Sequence, residues 1–559
     1  MRHLTPVNAA RFMLTLVLGA LTPGATTFGA APGPEAQPTD FTKQVAELAK
    51  KLGASPSGVP GEAEVRLCML PPAAFPAIEK AAGDESLPAP ARDKLQEIVK
   101  RERHRLAARL RRQKVRDEEV EWNVRTALAA YENAGKHDAK WDDLAREGIR
   151  LAAAWPEAGP SAFIPPAAVA PQDARVPLEK AVAAGCDDPF VLYLLARIQE
   201  VSSSVEPMVR LTLQSKSADE MLLSQYPAYR KEWAVVRCYV TEFRLGSANA
   251  NARGLDHFDR ATSSHLNKLS QAMVKLFPRV CKDGAPPERL YDIAEHILDL
   301  HQYSAQGLDE IYGKLAPTLE KGVGPGPLAL ALKAQFYVTF AWQARGAGWA
   351  ANITPEGHKL MMERLALASE AAQKAYEIDP NDPHAATVML TVELGQGKGR
   401  PVMEKWFERA MAADPDNLDA CERKITYLLP RWYGSAEELL QFGQDCYEEG
   451  NWRGGLPLLL ARVHETISDD AADKRKYLSQ PLVWEDFVRV YEPYLSARPN
   501  DLKARSRYCS IASTIGKWAV AHKQFELLGD NVVLEPFGSS TNLNTYRDLA
   551  RKGAANSRL

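Results

Sequence analysis

The 559-residue chain has little of what membrane, zinc or redox proteins require. No apolar run approaches the roughly 20 residues that cross a bilayer as a helix. The seven cysteines, Cys68, Cys186, Cys238, Cys281, Cys421, Cys446 and Cys509, are scattered without a C-x-x-C pair, which excludes the usual zinc and thioredoxin-type spacings. Strand patterning is nearly absent; its best candidate runs from Glu64 to Leu70 and is stopped by Pro71-Pro72. The G-x-S-x-G elbow, the G-x-x-x-x-G-K-[ST] phosphate loop and H-E-x-x-H are all missing, so no common hydrolase, nucleotide or metalloprotease signature is present. Charge of one sign is not in excess: 69 Lys and Arg against 71 Asp and Glu leave a net of −2, which argues against coating nucleic acid along the whole length. What is there is an ordinary globular composition, 45% hydrophobic and 25% charged, which excludes whole-chain disorder, collagen and a disulfide scaffold.

The first thirty residues read as an address. Arg2 and Arg11 are the only charged residues before Glu35, and the ten apolar-rich residues Phe12 to Leu21 suit a signal-peptide core. Small residues follow, with Gly29-Ala30-Ala31 as the cleavage site, so residues 1–31 are expected to be a signal peptide cut after Ala30 or Ala31. An amphipathic or buried N-terminal helix is the alternative. No cysteine near the cut argues against a lipid anchor, and the absence of adjacent arginines favours export in the unfolded state. Residues 32–60, with Pro32, Pro34, Pro38, Pro56 and Pro60, read as a tether holding one short helix at about 40–52. Export, to the periplasm or beyond the cell, places the thiols in an oxidising compartment. An odd count leaves at least one thiol free, and Cys421–Cys446, on consecutive predicted helices, is the bridge to test first.

Elsewhere the apolar period is helical. Leu95, Ile98, Val99, Leu106, Leu110, Val120, Val124, Leu128 and Tyr131 predict a helix over 93–134 that stops at Gly135; Trp141, Leu144, Ile149 and Leu151 predict a second. Residues 61–165 form a helical N-terminal region, 176–320 a second helical region, 328–530 a third and 531–559 a C-terminal tail. The boundaries fall in the proline-rich stretch from Gly159 to Pro171 and in Gly322-Val323-Gly324-Pro325-Gly326-Pro327. The sequence Ala375-Tyr376-Glu377-Ile378-Asp379-Pro380-Asn381-Asp382 recurs as Ala410-Met411-Ala412-Ala413-Asp414-Pro415-Asp416-Asn417, and 415 − 380 gives an offset of 35 residues. A weaker copy runs from Tyr494 to Asp501. Each copy ends a helix with proline and offers Asn or Asp to cap the next.

Paired helices at that period resemble tetratricopeptide repeats. Phe407, Ala410 and Pro415 match the aromatic, small and proline positions of the second helix of such a unit; Ala368, Ala375, Ile378 and Pro380 match in the unit before, where Ala372 replaces the aromatic; Ala521 and Phe525 match in the last. Trp406 to Met411, Tyr427 to Ser435, Trp452 and Pro457 also resemble a helical domain of unknown function in exported bacterial proteins, which carries no established activity. The resemblance implies an all-α helical-hairpin solenoid with a concave groove lined by the second, fifth, ninth and twelfth positions of each unit. Counted from Pro383, Leu418 and Leu502, these are His384, Thr387 and Thr391; Asp419, Glu422 and Thr426; and Lys503, Ser506, Ser510 and Ser513. Such polar side chains suit an extended protein or peptide ligand held by hydrogen bonds, or are simply hydrated.

Other candidates are weaker. Lys94 to Arg116 holds ten Lys and Arg against Glu97 and Glu102, a local charge of +8, and reads either as a face paired with acidic neighbours or as a contact for an acidic partner or anionic envelope. No aromatic interrupts it, so no platform for single-stranded nucleic acid is present and no nucleic-acid partner is expected. Gly395-Gln396-Gly397-Lys398-Gly399-Arg400 reads as a turn between helices. His296 and His301, on one predicted helix, diverge by about 140° and cannot easily share a metal. Asp142-Asp143, Asp187-Asp188 and Asp469-Asp470 read as hydrated or divergent pairs. No metal, cofactor or catalytic residue is assigned. An exported binding scaffold is the leading expectation; an envelope enzyme with an acid cluster that sequence cannot reveal, and a self-assembling structural protein, are the alternatives.

Overall fold

The computed structural model describes residues 41–52, 61–154, 172–200, 207–232, 234, 236, 260–304, 306–346, 352–529, 532–533, 535–538 and 540–556. Residues 1–31, the stretch from Gly159 to Pro171, Cys238 and Gly246 lie outside them. Every regular element among the described residues is helical, and none is long and apolar enough to cross a membrane.

In chain order the helices are α1 (Phe41–Ala49), α2 (Glu62–Met69), α3 (Phe75–Ala82), α4 (Ala89–Ala134), α5 (Asp142–Ala153), α6 (Gln172–Ala183), α7 (Pro189–Glu200), α8 (Pro207–Leu223), α9 (Arg260–Lys282), α10 (Pro287–Asp299), α11 (Leu308–Val323) and α12 (Pro327–Arg345). There follow α13 (Pro355–Ile378), α14 (Pro383–Gln396), α15 (Arg400–Ala413), α16 (Leu418–Tyr427), α17 (Ala436–Glu449), α18 (Leu458–Asp470), α19 (Lys474–Leu478), α20 (Pro481–Ala497), α21 (Leu502–Thr514), α22 (Trp518–Leu528) and α23 (Ser540–Asn556). Two compact units result. One takes its described residues from 114 to 410; the other takes 41–113 and 411–556. The expected repeat span 328–530 therefore contributes to both.

The strand expectation at Glu64 to Leu70 is wrong: these residues form α2 up to Met69. Val65 and Leu67 are both buried, and α2 packs against α1 and α20. Glu64 and Cys68 are buried as well, so the enclosed positions follow a helix's spacing of three and four and not a strand's alternation. Pro71 does end the element, because the residue before a proline avoids the helical region and Leu70 is extended at φ −61°, ψ 148°. Cys421 and Cys446, the pair to test first for a bridge, are free buried thiols, as are Cys68, Cys186 and Cys509. His301 is also misplaced: α10 ends at Asp299 and His301 lies in the 3-10 turn that follows.

The Pro-Asx motif has one geometry in three places. Four residues separate α13 from α14, α15 from α16 and α20 from α21. In each, the last residue donates its backbone N–H to the carbonyl three residues earlier: Asp382 to Asp379, Asn417 to Asp414 and Asp501 to Arg498. The same residue then caps the next helix. Asp382 accepts from the His384 N–H at 2.8 Å, Asn417 from Ala420 at 2.9 Å and Asp501 from Ala504 at 2.9 Å, satisfying donors that a helix start leaves open. Between α14 and α15 the glycine-rich stretch is a plain turn, with Gly397 (φ 63°) and Gly399 (φ 101°) in a left-handed conformation that favours glycine.

In the second unit one core joins α1–α3 and the start of α4 to α17, α18, α20 and α21, with Trp452, Phe487, Tyr494 and Tyr508 almost fully enclosed. Trp484 stacks on Tyr508 at 5.8 Å, so this tryptophan packs helices together. In the first unit, separate clusters gather α4–α8 around Tyr131 and Phe190, and α9–α12 around Phe277 and Tyr291.

Candidate functional site

The polar positions counted from the three caps divide between the units. His384, Thr387 and Thr391, on α14, lie in the first; Asp419, Glu422 and Thr426 on α16, and Lys503, Ser506, Ser510 and Ser513 on α21, lie in the second.

On α14, Thr387 is buried and its hydroxyl donates to the Pro383 carbonyl at 2.8 Å. His384 is held by neighbours: Nδ1 lies 2.7 Å from Asp382 Oδ1, Nε2 lies 3.5 Å from Glu288 Oε1, and the ring sits 4.1 Å from that of Tyr291. Glu288, Asp382 and His384 bring three donor atoms within 4.8 Å of one another, the one such group found among the described residues. These are the side chains that would hold a cation. Beside them, Arg289 pairs with Glu119 at 3.5 Å. Burial, reinforced by the Glu288 and Glu119 charges, pushes the Asp292 carboxyl up to about 7. A raised carboxyl favours the folded state when protonated, so its contribution is full below the ordinary pKa and is lost as pH rises through about 7. Asp292→Asn is therefore expected to raise stability at pH 8 by about 1–3 kcal/mol, the half-buried position screening part of the effect, and to change little at pH 4. Urea unfolding at the two pH values measures this; an equal effect at both would contradict it.

On the second unit, α16, α18 and α21 are cross-braced by charge. Arg462 on α18 binds Glu422 on α16 at 3.1 Å, and Arg507 on α21 binds Glu465 on α18 at 2.7 Å. Asp419 pairs with Arg423 at 3.0 Å along α16, and the Thr426 hydroxyl donates to the Glu422 carbonyl. These side chains are half-buried, with Arg462 28% and Arg507 30% exposed. Arg462 and Glu465 were missed in the sequence because no Pro-Asx motif precedes α18, and Arg507 because it is the sixth residue of α21, outside the counted positions. Counting from Leu458, the start of α18, would have put Arg462 fifth, forty residues after Glu422.

The three serines differ. Ser513 is buried and donates to the Cys509 carbonyl of its own helix at 2.7 Å. Ser506 and Ser510, also buried, bond instead to the chain beyond α22: Ser506 Oγ accepts from the Val533 N–H at 2.9 Å and Ser510 Oγ donates to the Pro536 carbonyl at 2.7 Å.

The basic stretch is largely paired within the chain. Lys94 and Arg101 meet Glu64 and Glu97, Arg103 meets Glu79, Arg105 meets Glu102 and Glu449, Arg109 meets Glu102 and Asp416, Arg112 meets Asp414, and Lys114 meets Glu118. The paired-face reading describes these seven side chains. The carboxylate pairs are likewise accounted for, as Asp142 accepts from Tyr131 at 2.8 Å and Asp187 pairs with Lys136.

His464 offers the geometry nearest to a catalytic pair. Its Nε2 lies 2.8 Å from Asp486 Oδ2 and its Nδ1 2.9 Å from the Tyr477 hydroxyl, and it is 2% exposed. Both nitrogens are engaged and the ring is closed off from solvent, so it ties α18, α19 and α20 together. His296 and His301 bond to the carbonyls of Asp292 and Leu298, and burial lowers both pKa values.

No protein-family model matches the chain, and neither does any curated protein. The class that the described residues define is an all-α protein in which no helix is long and apolar enough to cross a membrane.

Proposed function

We propose that this chain is an exported helical-repeat scaffold that binds a protein or peptide along the polar face carried by α16, α18 and α21. The observation that carries the reading is the ladder Glu422–Arg462 and Glu465–Arg507, which lays alternating charge across three helices of one unit. Fixed charges on a rigid helical surface recognise polar groups of a ligand without the cost of ordering loops. The three equivalent Pro-Asx connections support a repeat of the tetratricopeptide type, in which stacked hairpins offer one face for binding. The sequence of residues 1–31 supports export. The basic stretch is no part of this proposal, since most of it serves the chain's own carboxylates.

The test is a double exchange, Glu422→Arg with Arg462→Glu. The pair is preserved with its polarity reversed, so the midpoint of thermal unfolding is expected to stay within about 2 °C of wild type. Recovery of crosslinked partner from a native envelope extract is expected to fall by about fivefold, roughly 1 kcal/mol. Unchanged recovery by a folded variant would remove this face from the reading.

A further inference from the structure

The start of α10 and the start of α14 bring a histidine and two carboxylates together in the first unit. Glu288 is the second residue of α10, His384 the second residue of α14, and Asp382 the cap that precedes α14. Both helices pack on α12, which sets the gap between them. One donor atom of each of the three side chains lies within 4.8 Å of the other two. Asp382 is 12% exposed and Glu288 and His384 are each 15% exposed, enclosed enough to be held in place and open enough for an ion to enter from solvent.

The bonds inside the group orient the imidazole. Nδ1 lies 2.7 Å from Asp382 Oδ1, and the same oxygen accepts the His384 N–H at 2.8 Å. A carboxylate at that distance makes Nδ1 the protonated nitrogen of the neutral ring and puts the lone pair on Nε2. Nε2 faces Glu288, 3.5 Å from Oε1. Two ligands bound about 2.0–2.2 Å from one tetrahedral ion lie about 3.4 Å apart, so the spacing fits a shared cation. Tyr291 steadies the ring from the side, with 4.1 Å between centroids.

Charge favours a cation here as well. Asp292, one turn after Glu288 on α10, feels Glu288 and Glu119 together with His384 and Arg289. Arg289 pairs with Glu119 at 3.5 Å. The carboxyl groups of Glu119, Glu288, Asp292 and Asp382 gather around His384 and Arg289, and a divalent ion lowers the mutual repulsion of such a group.

We infer that His384 Nε2 and Glu288, with Asp382 orienting the ring, bind a divalent cation of the zinc type between α10 and the start of α14. An imidazole nitrogen beside a carboxylate oxygen suits zinc better than calcium or magnesium, which take oxygen ligands. The remaining positions on the ion are left to water. The cation adds a link between two helices that each pack on α12. The site belongs to the first unit and is independent of the ligand face proposed for α16, α18 and α21.

The test is equilibrium dialysis of the metal-stripped full chain against Zn2+ alone. Wild type is expected to retain one Zn2+ more than Glu288→Gln at about 10 µM free zinc. Asp382→Asn keeps a good cap for α14 and is expected to weaken the site by about 10–100-fold, the usual cost of losing the carboxylate behind a metal-bound histidine. His522→Gln is the control, since that histidine pairs with Glu526 on α22, and it should retain as much zinc as wild type. Zn2+ is also expected to raise the midpoint of thermal unfolding of wild type and not that of Glu288→Gln. In wild type itself, zinc is expected to slow carbethoxylation of His384 by diethyl pyrocarbonate at least about fivefold, read by peptide mass spectrometry. Equal zinc retention by wild type, Glu288→Gln and Asp382→Asn would mean adventitious binding elsewhere and would overturn the inference, as would unchanged reactivity of His384. If neither variant folds, the protection of His384 decides.

Discussion

Replacing Arg109 by alanine destabilises the second unit by about 3–5 kcal/mol, among the largest effects expected of any single substitution in the chain. The guanidinium is buried between Glu102, Asp416 at 3.0 Å and Asn451. Asn451 in turn donates to the Pro415 carbonyl at 2.7 Å and to Asp416 at 3.0 Å. Burial alone would push the Asp416 carboxyl up, but Arg109 and the hydrogen bond from Asn451 outweigh it and hold the carboxyl below its ordinary range. A lowered carboxyl contributes stability above its unfolded pKa and loses it as pH falls, so the Arg109 effect should be largest near neutral pH and shrink in acid. Alanine leaves Asp416 enclosed without Arg109 and Glu102 with Arg105 alone, which costs more than the pairs themselves contribute. Arg103 on the same helix is the control. Its side chain is 64% exposed and, among the described residues, its ion pair is with Glu79, so Arg103→Ala is expected to cost at most about 1 kcal/mol. Urea unfolding of the two variants separates them. Equal, small losses would mean that the +8 stretch is a solvated surface after all.

Two adjacent aspartates should give opposite results in the first unit. Asp188 is fully buried and accepts from the N–H groups of Phe190 at 2.9 Å, Val191 at 3.1 Å and Lys136 at 2.9 Å, and from the Tyr226 hydroxyl at 3.0 Å. It caps α7 and fastens α7, the start of α5's approach and the stretch after α8 at one point. Asp188→Ala removes the cap and strands several buried donors, each worth about 1–3 kcal/mol, so a total loss of about 3–5 kcal/mol is expected. Asp187, beside it, is 70% exposed and pairs with Lys136 at the surface. Asp187→Ala is expected to change stability by no more than about 0.5 kcal/mol. Thermal unfolding of both variants checks the contrast; similar losses would contradict it.

The contrast also marks how far the sequence could be read. Helix period, the long helix over 93–134 and the stop at Gly135 were legible because apolar spacing reports one face of a helix directly. Asp382, Asn417 and Asp501 were legible as caps because capping is local and needs only a short polar side chain at the right place. The fates of Asp187 and Asp188 were not, since nothing in a dipeptide says which carboxylate meets Tyr226 and which meets water. The same holds for Lys94 to Arg116: Glu449, Asp414 and Asp416, which take up Arg105, Arg112 and Arg109, lie some three hundred residues away in sequence. For the candidate face, Glu422 and Ser506 were found by counting from a cap, while Arg462 and Glu465 were not, because α18 starts without one, and Arg507 was not, because it falls between the counted positions of α21. That Ser506 and Ser510 carry part of the chain itself was beyond reach, since hydrogen bonds to backbone groups leave no mark on side-chain identity.

Site-specific photocrosslinking in the native envelope tests the central claim most directly. A benzophenone amino acid placed at Thr426 on α16 or Lys503 on α21 would report the proposed ligand face. The same group at Leu482 or Leu527, which are 75% and 57% exposed, would report surface outside the polar positions. The account predicts a common crosslinked partner from positions 426 and 503 and none from 482 and 527. Equal crosslinking at all four positions, or crosslinking at 482 and 527 alone, would contradict it.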